Sequence, residues 1–480
     1  MKKAAGRELD TVFYCRSIAV VGASSQEGKA GNMFVSALLE AGFRGEVFPV
    51  NLNERGDVLG LPIYPRLQDI PGEVDMAVVA VPRSAVMDVL EDCAAKGVKA
   101  AQFFTAGFRE LDAEEGSLLE TAMLESARRG GFRIIGPNCV GTCVPSAGKP
   151  LLGPTTAGTM PPPGNAAFAS QSGGIAGELV VVAATRGIGF SKLISFGNGL
   201  DLDAPQLLDY FGSDPETAVI GAYLEGAARG RELFQVAREI TRSKPIVVWK
   251  GGATTAGAET SASHTGSLAA SATVWSAAMK QAGVAQVHGM EELADTIMAF
   301  QSLGPALGNR VALITGLAAG GGGDSVTGAD ICHHHGLQVP QFAPHTLARL
   351  DTLLGRLGSI LRNPVDAAQR RESPEVLAEV LAAVAADPNI DLILVEEHMG
   401  IMVEFHPPEL IHAINDVFAG LKRQGGKPLA MILTHGLAEE ARRDAERRFM
   451  ENGVPVFASI NSAARALGHL TAYNRYRKPL

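Results

Sequence analysis

Short apolar runs alternate with amphipathic segments of helical period along most of this 480-residue chain. Such alternation is typical of parallel α/β folds, in which a helix crosses back between neighbouring parallel strands. Amphipathic helices are predicted, for example, at Ala85–Lys96 and Glu115–Arg129. The first third of the chain predicts five strands, at Ser17–Ala23, Val47–Asn51, Met76–Val81, Ala101–Thr105 and Arg133–Gly136.

The alternation breaks between Cys139 and Gly164, where Pro161-Pro162-Pro163-Gly164 is typical of a linker. A helix at Glu291–Gln301 and a linker from Leu303 to Asn309 end the next section. The strands predicted in that section are Ala166–Ser170, Phe190–Ser195, Ala218–Leu224, Pro245–Lys250 and Ala285–His288.

A third section begins at Arg310, and Gln338–Pro340 is a weaker strand candidate within it. We therefore predict an α/β fold of three consecutive parallel-sheet domains, covering residues 1–145, 146–305 and 306–480. The strands predicted in the third section are Val311–Thr315, Leu392–Glu396, Leu429–Thr434 and Val454–Ala458.

Composition narrows the class of protein. Hydrophobic residues make up 46% of the chain and aromatic residues 6%, which indicates aliphatic cores suited to buried parallel sheets. The net charge is −9 and there is no long basic run, so no nucleic-acid partner is expected. The longest uncharged stretch, Pro150 to Gly177, is rich in Pro and Gly and cannot form a membrane helix, and Met1 to Asp10 lacks the apolar region of a signal peptide.

The cysteine and histidine positions predict no metal site. Five scattered cysteines favour free thiols in a reducing cytoplasm. Cys139 and Cys143 lack further ligands at zinc spacing. The run His333-His334-His335 points in different directions on a helix, and Gly336 is a fitting helix cap after it.

Glycine-rich turns that follow predicted strands are candidate phosphate sites, because a helix N-terminus presents free N–H groups and a positive dipole end. The first strand ends in Val20-Val21-Gly22-Ala23-Ser24-Ser25, followed by Gly28 and Gly31, and the glycines of this turn are not spaced as G-x-G-x-x-G. The second strand ends in Asn51-Leu52-Asn53, with Glu54 the nearest acid. We interpret this turn as binding a nucleotide-containing ligand other than NAD; a turn that only packs is the alternative.

Two later turns have the same character. One carries Ser172, Gly173 and Gly174, and the other carries Gly320, Gly321, Gly322 and Gly323. Two such turns in consecutive domains suggest paired helix starts that converge on one anion.

The segment Thr260–Leu268 places His264 among small and hydroxyl side chains. This setting suits a nucleophile that accepts and passes on a phosphoryl group. The alternative is a loop histidine before a helix whose N-cap is Thr265 or Ser267.

Glu225 stands at the end of a predicted strand. A carboxylate there can bond one ring nitrogen of a histidine and fix its tautomer, which leaves the other nitrogen to attack phosphorus. A strand-end glutamate that faces solvent is the alternative.

Taken together, these motifs resemble the NDP-forming acyl-CoA synthetases, the superfamily of succinyl-CoA synthetase, and above all the α subunit of ADP-forming acetyl-CoA synthetase. The resemblance covers nearly the whole chain. The motifs that carry it are Ser17–Ser24, Phe48–Asn51, Val74-Asp75, Val81-Pro82, Thr105–Phe108, Gly136–Asn138, Ser170–Gly174, Tyr223–Gly226, Ser263–Leu268 and Asn363–Asp366.

The resemblance implies a Rossmann-like CoA-binding domain followed by two flavodoxin-like CoA-ligase domains. It implies that His264 is phosphorylated and that Glu225 orients it. The implied phosphate-binding helix starts are Ser172–Gly174 and Gly320–Gly323. The implied CoA-binding residues are Gly22, Ala23 and Ser24 on the phosphates, with Val50, Asn51, Val81, Pro82, Ala106 and Asn138 along the rest.

The implied reaction converts a small carboxylic acid, CoA and ATP into acyl-CoA, ADP and phosphate through an acyl phosphate. No region remains for an ATP-grasp domain, so a separate ATP-grasp β subunit that holds ATP and Mg²⁺, and hence a hetero-oligomer, is expected. His264 would have to move between the nucleotide site and the CoA site. The predicted hinge for this movement consists of the small residues Thr254, Ala256, Gly257 and Ala258.

The chain departs from the family where Leu52-Asn53 stands in place of a Pro-Lys pair, which removes a lysine expected near the CoA phosphates. Three other functions compete with the ligase. They are a non-catalytic CoA-binding regulatory protein, a phosphate-dependent acyl or carbamoyl transferase, and a Rossmann oxidoreductase, which the missing acid of the second strand disfavours.

Overall fold

The computed structural model describes residues 9–153, 159–265, 271–304, 308–315, 322–355, 361–366, 373–423 and 426–477, without the side chains of 113, 261–265 and 423. The chain folds into two compact units, Met1–Leu293 and Ala294–Leu480. Among the described residues, no helix has both the length and the apolar character needed to cross a bilayer.

The first unit opens with a parallel sheet of order β2-β1-β5-β6-β7, and β3 and β4 form a separate hairpin. All five strands predicted for this section are present. Their bounds are β1 Ser17–Val21, β2 Glu46–Val50, β3 Asp57–Val58, β4 Leu61–Pro62, β5 Met76–Val79, β6 Ala100–Phe103 and β7 Arg133–Ile135.

The helices beside this sheet include α1 Ala30–Glu40, α2 Val86–Lys96 and α3 Ala113–Gly130, and residues 9–13 are helical as well. Capping fixes the ends of α3. The carboxylate of Asp112 accepts hydrogen bonds from the N–H groups of Glu114 (3.0 Å) and Glu115 (2.8 Å). Gly131 ends the helix with φ +72°, a conformation that costs glycine little.

The second sheet has the order β13-β12-β11-β9-β10-β8. Its edge strand β8 lies inside the segment predicted to break the pattern, and it pairs antiparallel with β10. The predicted linker is also partly wrong, because β9 already includes Pro163 and Gly164. A side chain at Gly164 would collide with the Gly189 backbone, so glycine lets the two strands meet closely here. The bounds are β8 Gly141–Cys143, β9 Pro163–Ser170, β10 Phe190–Ser195, β11 Val219–Leu224, β12 Ile246–Lys250 and β13 Ala285–Val287.

Both sheets have the doubly wound order 2-1-3-4-5 in their parallel strands, with switch points between β1 and β5 and between β9 and β11. Ligands of such sheets bind beyond the carboxyl ends of the strands at the switch point. One continuous cluster of buried side chains, including Phe34, Ile135, Phe196 and Leu224, serves both sheets. The two sheets therefore share a core within one unit.

The helices around the second sheet differ from prediction in one place. The segment around His264 was expected to be a loop, but the helix α7 runs over Thr255–Thr265 and includes Ala256, Gly257 and Ala258 of the predicted hinge, whereas Thr254 precedes it. The next helix is capped by Ser271, whose hydroxyl accepts from Val274 N, and not by Thr265 or Ser267. The bounds are α4 Gly173–Arg186, α5 Ala204–Ser213, α6 Gly230–Ile240, α7 Thr255–Thr265 and α8 Ala272–Gln281. The next helix, α9 Met290–Leu303, begins in the first unit and continues into the second.

The second unit contains a parallel sheet of order β14-β15-β16-β17. Its strands are β14 Val311–Ile314, β15 Leu392–Glu397, β16 Leu429–Leu433 and β17 Val456–Phe457. The weaker candidate Gln338–Pro340 forms only an isolated bridge from Gln338 to Arg310. Its helices are α10 Gly322–His334, α11 Pro344–Leu354, α12 Pro374–Ala386, α13 Met399–Phe405, α14 Pro408–Arg423, α15 Glu439–Glu451 and α16 Ile460–Arg477.

The predicted fold class is confirmed by these parallel sheets. The motif Asn363–Asp366 lies in the second unit, and its first residue helps to hold the sheet together. The side chain of Asn363 accepts from Leu313 N (3.0 Å) and donates to the carbonyls of Val311 (2.7 Å) and Pro340 (2.8 Å). Gly336 has φ +77° directly after the histidine run, as a helix cap requires.

Candidate functional site

A cavity of about 310 Å³, here called the first cavity, lies beyond the carboxyl ends of β1, β2 and β5 in the first unit. This is the switch point of the first sheet, where the topology predicts a ligand. Most of the residues predicted to bind CoA line it, namely Gly22, Ser24, Val50, Asn51, Val81 and Pro82.

The glycine turn after β1 is built for close approach. Gly22 has φ +93°, and a Cβ atom on it would lie 2.5 Å from the Ala80 oxygen. Ala23 is fully buried, and its carbonyl oxygen accepts a hydrogen bond from Asn51 Nδ2 at 2.6 Å. Asn51 thus fixes the turn as well as lining the cavity. Ala23 is buried in the turn and supports it through its carbonyl group.

Glu54 occupies the hydrogen-bond donors at this turn. Its carboxylate accepts from Ser24 Oγ (2.7 Å), Ser25 N (2.9 Å) and Ser25 Oγ (3.2 Å). The Ser25 backbone bond, with those of the two hydroxyls, lowers the pKa of Glu54. Of the three residues predicted to contact the CoA phosphates, Ser24 has its hydroxyl bonded to this carboxylate, while the N–H groups of Gly22 and Ala23 donate to the Val50 carbonyl.

Two cationic side chains that sequence reasoning missed also line the first cavity. Lys29 Nζ lies 4.0 Å from Glu54 Oε1, and Arg66 Nη1 lies 3.6 Å from Asp92 Oδ1. Both side chains are more than half exposed. They bring positive charge to a cavity from which Leu52-Asn53 was expected to remove a lysine.

A larger cavity of about 690 Å³, here called the second cavity, opens between the two sheets of the first unit. Ala106, Asn138, Ser172, Gly173 and Gly174, all predicted site residues, line it. Ala80, Val81 and Pro82 line both cavities, so the second cavity adjoins the first along this short segment.

The start of α4 faces the second cavity. Ser172 is its N-cap, and its hydroxyl accepts from Ile175 N at 3.3 Å. Gly173 and Gly174 follow in the first turn, which contains no acidic side chain. A Cβ atom at Gly173 would lie 3.1 Å from Val140 Cγ1, so the small residue leaves the helix end open. Free N–H groups and the positive dipole end make this a site for an anion.

Glu225 lies behind the second cavity and is 9% exposed. Gln171, which lines the cavity, accepts hydrogen bonds from the backbone N–H groups of Glu225 and Gly226. The Tyr223 hydroxyl donates to Glu225 Oε1 at 3.3 Å. Glu225 Oε2 is buried and has no hydrogen-bond partner among the described atoms. It is an acceptor suited to one more N–H donor.

Lys250 extends this polar group. Its ammonium donates to the Glu225 carbonyl at 2.7 Å and lies 5.6 Å from the centre of the Trp275 ring. Burial lowers the pKa of Lys250, and the charge of Glu225 opposes that shift. Burial, followed by the charge of Glu225, raises the pKa of Tyr223.

Other predicted site residues lie outside the described part of the structure. His264 is in the last turn of α7, but its side chain is not described, so its approach to Glu225 stays a prediction. Gly320 and Gly321 are not described, while Gly322 and Gly323 begin α10, whose first turn carries Asp324.

A network beyond the reach of sequence reasoning ties the two sheets together beside the second cavity. Asn198 Nδ2 donates to Glu110 Oε2 and to Glu120 Oε1, both at 2.8 Å. Arg109 Nε lies 2.8 Å from Glu120 Oε2. Burial raises the pKa of Glu120. Burial also acts to raise the pKa of Glu110, but the hydrogen bonds of this carboxylate outweigh burial and lower its pKa.

Cys139 and Cys143 are both buried free thiols. Cys139 Sγ bonds the carbonyls of Phe103 and Ile135, each at 3.5 Å. Burial raises the pKa of both thiols to about 12. A protonated buried thiol is a poor metal ligand, because the thiolate is the form that binds metals.

Two family descriptions match the first 300 residues of the chain. Residues 16–145 match a CoA binding domain, and residues 163–300 match a succinyl-CoA ligase like flavodoxin domain. The first match covers the whole first sheet together with β8, and the second match covers the other five strands of the second sheet.

Whole-chain relatives agree with these matches. The α subunit of acetate–CoA ligase (ADP-forming) II from Pyrococcus furiosus is 36% identical over 465 residues, 95% of this chain and 96% of that subunit. Acetate–CoA ligase (ADP-forming) I from Archaeoglobus fulgidus is 34% identical over 97% of this chain but only 64% of that longer protein.

A solved structure extends the similarity to the fold. Dinucleotide forming acetyl-coenzyme A synthetase 1 of Candidatus Korarchaeum cryptofilum, in complex with phosphate and ADP, superposes with a TM-score of 0.86. It is 31% identical and covers 98% of this chain and 97% of that one. The resemblance found in the sequence is confirmed, and the chain belongs to the α-subunit family of the ADP-forming acetate–CoA ligases, which are acid–thiol ligases.

Proposed function

We propose that this chain is the α subunit of an ADP-forming acyl-CoA synthetase that joins a small carboxylic acid to CoA through a phosphohistidine at His264 and an acyl phosphate. The observation that carries the proposal is the adjoining of the two cavities along Ala80, Val81 and Pro82. A CoA molecule whose nucleotide end lies in the first cavity can reach the start of α4 with its thiol.

Two cationic side chains of the first cavity support CoA as the ligand. Lys29 and Arg66 line this cavity beside the acids Glu54, Asp88 and Asp92, and both can contact CoA phosphates. In the second cavity, Ala106 and Asn138 stand beside the path from Pro82 towards Gly173. This path leads the pantetheine arm to the anion site.

The start of α4 supports acyl phosphate chemistry. A carboxylate is a poor electrophile, and a phosphate leaving group corrects this. A ring nitrogen of phosphorylated His264 releases its phosphoryl group to the carboxylate oxygen of the acid, which forms an acyl phosphate. The CoA sulfur then attacks the acyl carbon, the C–O bond to phosphate breaks, and Ser172, Gly173 and Gly174 stabilise the departing phosphate.

Glu225 is assigned the orientation of His264. Its buried Oε2 lacks a described partner and can accept an N–H from the ring. That bond fixes the tautomer and leaves the other nitrogen to attack phosphorus. Glu225 touches the histidine and not the substrate in this scheme.

ATP use is assigned to a partner. The relative from Pyrococcus furiosus carries the name of an α subunit, and the relative from Archaeoglobus fulgidus is a longer single protein. We therefore propose a hetero-oligomer with an ATP-grasp β subunit that holds ATP and Mg²⁺. The buried free cysteines fit a reducing, cytoplasmic location.

The test runs the reverse half-reaction on the purified chain. The protein is incubated with phosphate and a panel of acyl-CoA thioesters, and phosphohistidine is detected by peptide mass spectrometry at neutral to alkaline pH. We expect phosphorylation of His264 with at least one thioester, loss of it in His264→Asn, and a decrease of about 10² or more in Glu225→Gln. The thioester that works identifies the acid.

His288→Asn is the matched control, because His288 is an exposed histidine in the same unit. It should keep full phosphorylation. CoA binding without phosphorylation, both alone and with an ATP-grasp partner and ATP, would instead support a non-catalytic CoA-binding protein. Steady formation of acyl phosphate without His264 would support a phosphate-dependent acyl transferase.

A further inference from the structure

Three metal-ligating side chains that sequence reasoning did not connect meet in the second unit. Asp324 lies in the first turn of α10, while Glu396 and His398 stand at the carboxyl end of β15. One ligand atom from each lies within 4.8 Å of the other two. The residues are far apart in sequence, so only the fold brings them together.

Glu396 is the buried member of this cluster, and it is incompletely satisfied. Its side chain is 6% exposed, and Oε2 has no hydrogen-bond partner among the described atoms. A buried carboxylate oxygen without a partner is costly unless a proton or cation compensates it. The carboxylate of Asp324 faces the same cluster and adds to the negative charge.

His398 is oriented as a metal ligand would be. Its Nδ1 lies 3.0 Å from Thr434 Oγ1, which follows β16. When Nδ1–H donates to that hydroxyl, the lone pair of Nε2 faces the cluster. Nε2 lies 3.4 Å from Asp324 Oδ2 but makes no hydrogen bond among the described atoms. A hydrogen bond to the non-ligating nitrogen is the usual support for a metal-binding histidine.

The helix start adds a further acid. A Cβ atom on Gly322 would lie 3.5 Å from Asp366 Oδ2, so this buried carboxylate also faces the beginning of α10. The sequence predicted that Gly322 and Gly323 bind a phosphate. Carboxylates at this end of the helix oppose an anion, and a bound cation would offset them.

We propose that Asp324, Glu396 and His398 bind one divalent transition-metal ion of the Zn²⁺ or Mn²⁺ class. Two carboxylates and one imidazole suit such an ion better than Mg²⁺, which prefers oxygen ligands alone. Ligand atoms around an ion at about 2.1 Å stand roughly 3 to 3.5 Å apart, so small side-chain rotations complete the site. Asp324 and His398 are partly exposed, which leaves a route and open coordination positions for solvent oxygen.

The test measures metal binding directly, without CoA or a partner subunit, so its result does not depend on the proposed ligase reaction. The full chain, without a histidine tag and freed of metal by a chelator, is titrated with ZnCl₂ and with MnCl₂ in a calorimeter. Bound Mn²⁺ is also counted by electron paramagnetic resonance. We expect one equivalent of one of these ions, and a dissociation constant raised at least tenfold in Glu396→Gln, His398→Ala and Asp324→Asn. Thr434→Val should weaken binding about tenfold by loosening His398.

His412→Ala is the matched control. His412 Nε2 also lies 3.4 Å from an aspartate oxygen, that of Asp444, but Arg448 stands 3.3 Å from its Nδ1 and repels cations. This variant should bind metal as the wild type does. Circular dichroism and thermal melting check the fold of each variant, and Asp324→Asn, at a partly exposed position, serves if a buried variant does not fold.

Two outcomes would overturn the proposal. One is wild-type metal affinity in the folded Asp324→Asn variant and also in either the Glu396→Gln or the His398→Ala variant. The other is binding that survives these changes but disappears when His333, His334 and His335 are all replaced by alanine, which would move the ion to the surface histidine run.

Discussion

The carboxamide oxygen of Gln171 accepts hydrogen bonds from the backbone N–H groups of Glu225 (2.5 Å) and Gly226 (3.0 Å). Gln171 follows β9 and Glu225 follows β11, the neighbouring strands at the switch point of the second sheet. One side chain thus connects the wall of the second cavity to the strand end that carries the predicted histidine-orienting carboxylate.

Removal of this acceptor should weaken the strand end. In Gln171→Ala two buried N–H groups lose their partner, and at about 1 kcal/mol each we expect the free energy of unfolding to fall by about 2 kcal/mol. Chemical denaturation measures this loss. Gln171→Glu keeps an accepting oxygen and should retain most of the stability. If Gln171→Ala is as stable as the wild type, this bond does not hold the strand end in place.

Glu54 should compete with CoA for the turn after β1. Its carboxylate accepts from Ser24 Oγ and Ser25 N, two donors of this turn that would otherwise be open to a ligand phosphate, and it adds negative charge to the first cavity. We expect Glu54→Gln to bind CoA about three- to tenfold more tightly, measured by calorimetry. Asp57→Asn changes an acid on the nearby hairpin that does not line the cavity, and it should leave the affinity unchanged. Weaker binding in Glu54→Gln would show that the carboxylate helps to hold CoA.

Buried thiols should be slow to react and should make the fold sensitive to alkali. Burial raises the pKa of Cys139, Cys143 and Cys332 to about 12, so at pH 8 only about one in 10⁴ of each is the reactive thiolate. We expect a thiol reagent at pH 8 to label them in the denatured protein and hardly at all in the folded one.

The sign of the pH effect follows from the same shift. A thiol whose folded pKa is raised keeps its proton when the unfolded thiol, near pH 8.5, has lost it. Its contribution to stability is therefore complete below about pH 8.5 and is lost as the pH rises towards 12. Denaturation curves at pH 7, 9 and 10 should give falling midpoints; fast labelling of Cys139 in the folded state at pH 8 would contradict this account.

The buried ion pair of Lys192 should contribute strongly to the free energy of unfolding. The Lys192 side chain is fully buried, and its Nζ lies 2.5 Å from Asp214 Oδ2 and 3.3 Å from Glu216 Oε2. Lys192→Met leaves Asp214 buried without its cation, and we expect a loss of about 3 to 5 kcal/mol in the free energy of unfolding.

Lys280→Met is the control for this pair, since Lys280 is exposed on α8 in the same unit. It should change stability by no more than about 0.5 kcal/mol. Urea denaturation of both variants measures the difference. Equal midpoints would mean that the ion pair is no better than the methionine packing that replaces it.

The sequence by itself determined the fold class, the strand positions and the family, because these depend on local periodicity and on ordered motifs. The apolar run at Ser17–Val21 and the Gly22 turn were predicted from residues next to one another. The same holds for the helix start at Ser172, Gly173 and Gly174.

Tertiary structure alone decided what lies beside what. No local pattern indicated that β8 crosses to the second sheet, that Glu54 reaches Ser24, or that Asp324 meets His398. These contacts join residues that are distant along the chain, and strand order and packing set them. Helix α7, which contains His264, is another feature that the sequence did not determine. Its Ala, Thr and Ser composition suggested a loop, whereas the folded chain places residues 255–265 in a helix.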